Sequence, residues 1–158
     1  MVSPLAELFL YEADRAQHIA QIIRPALEAG ENVLCDRFFD STTAYQAFGR
    51  GLPISLVEEL NFQATGGIVP DLTFLFETPI EEGLRRARGR SRGDRLEEEG
   101  LAFHERVWAG FTELSQKMPR RFRLMPAGTI REVHVSVLEA VTKEFEWVGN
   151  SSRAKTQP

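Results

Sequence analysis

Residues 35–51 read CDRFFDSTTAYQAFGRG, a short stretch crowded with groups that can bind a ligand. Asp36 and Arg37 form an acid–base pair, and Ser41, Thr42 and Thr43 add hydroxyls. Tyr45 and Gln46 add a phenol ring and an amide, and Arg50 a second guanidinium. Arg37 can grip a phosphate through two parallel bonds, while Asp36 can hold a magnesium ion through water. Hydroxyl, amide and phenol groups set close together can read the edge of a base. The simpler alternative is a structural ion pair followed by a polar turn. Taken as a site, the stretch suits an anionic, planar ligand that forms hydrogen bonds.

Two further groups point the same way. Tyr11 and Arg15 are four residues apart in a helical pattern, so they share a face. A ring and a guanidinium there can stack on a base and bond its edge, or form a cation–π pair with each other. His18 lies on the same face without an assigned role. Farther on, RRARGRSRGDR, residues 85–95, carries six arginines against one aspartate. Of 19 basic residues in the chain only Lys117, Lys143 and Lys155 are lysines, so the planar, phosphate-matching fork dominates. An arginine brought in by a closing loop can stabilise charge spread over a transferring phosphoryl group. A helix end favoured by its own dipole explains Arg85 and Arg86 equally well. It does not extend to Arg88, Arg90 and Arg92, among glycines and a serine that end helices.

The elements that must position these groups alternate. Residues 5–29 carry apolar side chains near a 3.6-residue period and stop at Gly30, which predicts a helix, with Pro25 able to kink it. NVLC predicts a short strand that delivers Asp36 and Arg37 at its carboxyl end. The turn-rich GRGLP leads to a helix over residues 55–64, and LTFLF reads as a strand buried on both faces. Thr78, Pro79 and Glu81 form a capping box for the next helix, and Gly89, Ser91 and Gly93 predict a mobile loop after it. A helix over residues 97–117 places Phe103, Val107, Phe111 and Leu114 along one stripe. RFRLM is the third strand, and Thr129 with Glu132 caps a last helix through Trp147. Trp108 and Trp147 read as core or interface residues, and residues 149–158 as a disordered tail. Alternating strands and helices predict an α/β layer fold with a parallel sheet, which binds ligands beyond the carboxyl ends of its strands.

Composition narrows the class. The 158 residues suffice for one domain, and 42% hydrophobic content is ordinary for a globule. A net charge of −4 argues against a nucleic-acid polymer as partner. No apolar run reaches a membrane span, and the N-terminal stretch lacks the basic start of a signal peptide, so no membrane partner is expected. The single cysteine, Cys35, excludes an internal disulfide, fits a cytoplasmic location and is expected to be a small buried hydrophobe.

The segments YEADRAQH, IRPALEAGENVLCDR, DSTTAYQAFGRGLP, VPDLTFLF and GLRRARGRSRGDRLE, in this order, resemble the bacterial form of the thymidylate kinase family. The likeness runs from about Pro4 to Val141. It implies transfer of the ATP γ-phosphoryl group to dTMP, giving dTDP, with Mg²⁺, in a homodimer. By the same likeness Tyr11 stacks on thymine, Arg15 bonds its edge, and Arg37 grips the phosphate. Ser41, Thr42, Tyr45 and Gln46 fall in the loop that reads the base, and Asp36 lies near the metal. The lid, about residues 85–97, supplies the catalytic arginine: Arg90, with Arg88 and Arg92 close behind.

The departures carry weight. Glu77 stands where the family usually has aspartate, and Met125-Pro126 where an isoleucine–aspartate pair is common. No glycine is followed by lysine anywhere, so the G-x-x-x-x-G-K-[ST] loop that cradles donor phosphates is not among these residues. The expected fold is therefore a P-loop kinase-type three-layer α/β/α domain over residues 1–148, with parallel sheet, N-terminally truncated and lacking its central first strand. NVLC and LTFLF would then pair directly, fold poorly or await a partner. Two alternatives stand beside the kinase reading: a non-catalytic nucleotide-binding remnant or interaction protein, and a related deoxynucleoside kinase.

Overall fold

The computed structural model describes residues 2–88 and 99–145, with backbone alone at 87 and 88. Arg90, Arg92, Trp147 and the segment 149–158 lie outside the described residues, as does the side chain of Arg88.

Helix α1 (Pro4–His18) starts under Ser3, whose hydroxyl accepts from the backbone N–H of Ala6. Its course continues through a π-helical turn (Ile19–Ile23) into α2 (Arg24–Glu28). The wide turn, in which the N–H of Arg24 reaches back to the Ile19 carbonyl, lies immediately ahead of Pro25. Proline cannot donate and its ring crowds the carbonyl four residues back, so the helix widens there. Gly30 ends it at φ 76°, a conformation that favours glycine.

Two expectations are corrected in the next segment. NVLC belongs to no sheet among the described residues, with Leu34 98% exposed. A strand is held by ladder bonds to a neighbour, and an apolar run without one has no reason to stay pleated. Cys35 is exposed rather than buried, and its thiol donates to the Arg37 carbonyl at 3.2 Å. The STTAYQ stretch, expected as a loop, is helical: α3 (Phe39–Thr42) runs directly into a π-helix (Thr43–Gly49). Its small polar residues favour turns in isolation, but Thr43 bonds back to the Phe39 carbonyl and accepts from the Asn61 amide. Asn61 is on α4 (Ile54–Thr65), which ends at Gly66 in the left-handed conformation.

Strands β1 (Thr73–Glu77) and β2 (Phe122–Pro126) pair in parallel, with Leu75 opposite Leu124. Helix α5 (Ile80–Arg88) follows β1, α6 (Leu101–Lys117) precedes β2, and α7 (Ile130–Phe145) follows it. The Thr129–Glu132 capping box forms as expected, its backbone bonds spanning 2.8 and 3.3 Å. Leu75 and Phe122 share one sheet face and bury against Leu114 of α6. Arg123 projects from the opposite face and pairs with Glu144 of α7 at 2.7 Å. The layers are thus α6, sheet and α7, a three-layer α/β/α arrangement.

The expected stripe on α6 is real. Phe103 and Val107 pack with Ala44, while Leu114 packs with the sheet, so α6 joins the first helices to the strands. Its approach is close at two glycines. A Cβ at Gly49 would lie 2.7 Å from Phe103 Cε2, and one at Gly110 2.7 Å from the Phe48 ring. On the other side of the π-helix, Ala47 meets Leu8 of α1 and Val57 of α4 in a second core.

Candidate functional site

Helix periodicity places Glu7, Tyr11 and Arg15 one above another on α1. The facing wall is the α3–π segment, where Thr42 and Gln46 lie one turn apart. Two clasps join the walls. The Arg15 guanidinium donates to Thr42 Oγ1 at 2.5 Å, and the Gln46 amide donates to Glu7 Oε1 at 2.8 Å. Tyr11 sits between them along α1, 40% exposed. Arg15 also lies over the Phe38 ring at 5.2 Å, so its fork is held from below as well as from the side.

Arg37 adopts φ 66°, the left-handed region that side chains other than glycine rarely enter. Its guanidinium carbon is 5.4 Å from the Tyr45 ring centre. Tyr45 in turn packs edge-on against Phe111 and tilted against Phe103, which anchors its ring in the core. Ser41 is half-buried, its N–H bonded to the Phe38 carbonyl at 3.0 Å, and Asp36 is exposed beside Arg37. The structure therefore joins Arg15 to Thr42 and Gln46 to Glu7, on the helix face that carries Tyr11, and brings Arg37 to Tyr45. Asp36 and Arg37 follow a segment that pairs with neither strand rather than the end of a paired strand.

Several contacts around the site were not legible in the sequence. Glu12, buried beside Arg15 with 3.4 Å between Oε2 and Nε, has no aligned hydrogen bond there. Burial raises its pKa, with the nearby Arg15 charge working against the rise. Arg50 spans Glu7 and Glu99. Asp40 and Arg121 form a buried pair with two bonds of 2.6 Å. Glu7 alone had a local signal, standing four residues before Tyr11.

The raised pKa of Glu12 makes a testable statement about stability. A carboxyl titrating higher folded than unfolded contributes stability below its unfolded pKa, and loses it as pH rises through the folded one. Relative to the native chain, Glu12→Gln is expected to gain stability from about pH 4 to pH 7. Thermal unfolding of both at the two pH values checks this. The opposite slope would mean that the Arg15 pair outweighs burial.

A second concavity lies beyond the carboxyl ends of β1 and β2. This cleft of about 620 Å³ is bounded by Phe76, Thr78 and Arg86 on one side and Met125, Gly128 and His134 on the other. Open α/β sheets place ligands at this end of their strands. Among the described residues no group of three or more acidic, histidine or cysteine side chains is placed to hold a metal. Magnesium asks less: one or two carboxylates with water and substrate phosphates, a mode that the exposed Asp36 fits.

An α/β layer protein with an arginine clasped between α1 and α3, and a cleft beyond its strand ends, has the architecture of nucleotide-binding α/β proteins. Comparison with known proteins sharpens the class: the family model described as "Thymidylate kinase" matches residues 1–137. A thymidylate kinase of Citrifermentans bemidjiense is 44% identical over 97% of this chain and 71% of its own length. One of Desulfovibrio desulfuricans is 54% identical over 77% of this chain and 59% of its own. The crystal structure of thymidylate kinase from Ehrlichia chaffeensis superimposes with a TM-score of 0.69 at 30% identity, covering 89% of this chain and 65% of that one. The chain belongs to the thymidylate kinase family, a family of phosphotransferases. It spans roughly two thirds of the length of these relatives. No helix among the described residues is long and apolar enough to cross a membrane.

Proposed function

We propose that these residues form the acceptor side of a dTMP kinase, which transfers the γ-phosphoryl group of ATP to dTMP. The observation that carries the reading is the Arg15–Thr42 clasp, which fixes a guanidinium beside Tyr11 in the groove. Tyr11 offers a face for the base, and Arg15 donates to a carbonyl at its edge. Thr42, Gln46, Ser41 and Tyr45 form the facing wall, and Arg37 binds the acceptor phosphate. The cleft beyond β1 and β2, with Arg86 in its wall, is the candidate donor side. Asp36 would hold Mg²⁺ through water, and the metal would supply neutralising charge on the phosphates.

Phosphoryl transfer leaves the protein little covalent work, so positioning and charge stabilisation do most of it. Arg37 sets the acceptor phosphate, and Arg90, Arg88 or Arg92 would meet the negative charge spread over the transferring group. No glycine–lysine pair occurs in these 158 residues, so the activity proposed is that of the whole protein, as a homodimer. That same observation supports the second reading, a nucleotide-binding chain without turnover.

Titration calorimetry tests the acceptor side. The chain is expected to bind dTMP more tightly than thymidine by about 100-fold or more, the worth of two charge-assisted hydrogen bonds. No heat with millimolar dTMP would overturn the acceptor reading. Equal affinity for both ligands would favour a deoxynucleoside kinase. Formation of dTDP from ATP separates the kinase from a binding remnant.

A further inference from the structure

Glu12 is buried, at 6% exposure, and neither of its oxygens has a hydrogen-bond partner. Its ion-pair partner is Arg15, one turn on, with 3.4 Å between Oε2 and Nε, and that Nε is buried and unbonded as well. The other groups that hold Arg15 are neutral: the Thr42 hydroxyl of α3 and the Phe38 ring. Cys35, a further titratable group that feels the Arg15 charge, is a neutral thiol at physiological pH, because loss of hydration raises its pKa. Arg15 is thus a cation with a carboxylate set against it inside the protein.

Such a pair is a poor device for stability. A carboxylate taken out of water without hydrogen bonds recovers only part of that cost from its partner, and Glu12→Gln is expected above to gain stability toward neutral pH. A charge that costs stability beside a guanidinium placed to meet a ligand points to a role in binding. The pair has no net charge when Glu12 is ionised, and this changes what Arg15 attracts. Coulomb energy falls as 1/r, so a carboxylate about 7 Å from an incoming anion offsets more than half of the attraction of a guanidinium about 4 Å from it. An uncharged carbonyl gives up little, because its bond is made to the nearest N–H.

We infer that Glu12 decides which way round the ligand lies: its carboxylate, buried against Arg15, cancels the guanidinium charge, so that this end takes an uncharged base edge and refuses an anion, leaving the phosphate to Arg37. This rests on the acceptor reading proposed above, in which Arg15 meets the base and Arg37 the phosphate. Both carry the same phosphate-matching fork, so the fork alone does not tell the two ends of a nucleotide apart. Their surroundings do. Arg15 has a buried carboxylate beside it, whereas Asp36, next to Arg37, stands in solvent, where its charge is screened. Glu12 acts only through Arg15 and is a positioning residue.

The experiment follows thymidine binding by NMR titration, with and without tens of millimolar sulfate at constant ionic strength. Thymidine has no phosphate, so sulfate held at Arg37 leaves it in place, while sulfate at Arg15 displaces it. At about pH 8, where carboxyls are ionised, sulfate is expected to leave thymidine affinity in the native chain within about twofold. In Glu12→Gln it is expected to weaken thymidine about threefold or more, as for an anion held with a dissociation constant of about 10 mM. Glu12→Asp keeps the charge and is expected to behave as native. A carboxyl with a raised pKa takes up its proton as pH falls through that value, so the sulfate effect is expected to enter the native chain toward about pH 5. Histidine gains charge over the same interval, and any effect of the exposed His18, one turn beyond Arg15, would appear equally in Glu12→Gln, whose response is expected to stay flat. Should thymidine bind too weakly to follow, sulfate titrated alone decides, with Glu12→Gln expected to bind an additional anion. Equal sulfate responses in the native chain and Glu12→Gln overturn the inference while leaving the acceptor reading intact. A native chain that binds neither dTMP nor thymidine overturns that reading and this inference with it.

Discussion

Asp40→Ala is expected to cost about 3–5 kcal/mol, because it leaves the buried Arg121 guanidinium without its counter-charge. Both side chains are under 10% exposed, and both Asp40 oxygens accept from Arg121 at 2.6 Å. Arg121 adds a bond to Thr73 Oγ1 at 2.8 Å and lies over the rings of Phe39 and Phe122. One residue therefore ties α3 to the edge where β1 and β2 begin. Against a typical total of about 5–15 kcal/mol, the loss is a large fraction. For a chain of this size it lowers the melting temperature by roughly 10 °C or more. The double replacement Asp40→Leu with Arg121→Met should recover much of the loss, since a packed apolar pair often matches a buried ion pair. Thermal melts of the singles and the double close the cycle. A single mutant within 1 kcal/mol of native, on the order of an exposed pair's worth, would refute the tie. Because Asp40 directly precedes Ser41 and Thr42, loss of the tie also loosens one wall of the groove.

That pair shows where sequence reading stops. Asp40 and Arg121 are 81 residues apart, and no periodicity or motif links them. What local rules reach was legible: the stripe of Phe103, Val107 and Leu114 on α6, the Thr129–Glu132 box, the two paired strands and the stop at Gly30. NVLC has the composition of a strand, but composition supplies no neighbour, and Leu34 stands in solvent instead. STTAYQ has the composition of a turn, yet Ala44 and Ala47 find cores on two sides and hold it helical. In the candidate site, Tyr11 and Arg15 were visible through their spacing. The Glu7–Arg50–Glu99 chain was not, because its members come from three separate parts of the sequence.

Arg37→Gly is the substitution in which binding is expected to fall while stability holds. At φ 66° a side chain crowds its own backbone, at a cost of roughly 1–2 kcal/mol that glycine does not bear. Against this, glycine's greater freedom in the unfolded chain takes back about 0.5–1 kcal/mol. The stacking of Arg37 on Tyr45 is lost as well, about 0.5–1 kcal/mol at an exposed residue. The expected net is a stability within about 1 kcal/mol of native, with the glycine variant not markedly less stable. An alanine at 37 keeps the crowding and loses the stacking, so it should be the less stable of the two by roughly 1 kcal/mol. Binding is expected to fall sharply in both. Two charge-assisted bonds to a phosphate, each worth about 1.5–3 kcal/mol, put the loss of dTMP affinity at about 100-fold or more. Thymidine has no phosphate for Arg37 to grip, so its affinity should change less than about threefold in either variant. Equal losses for dTMP and thymidine would show that Arg37 supports the turn and does not bind phosphate. Sharp loss for dTMP alone, together with the glycine variant outlasting the alanine variant on heating, would mark Arg37 as a residue held in an unfavourable backbone conformation for the sake of its guanidinium.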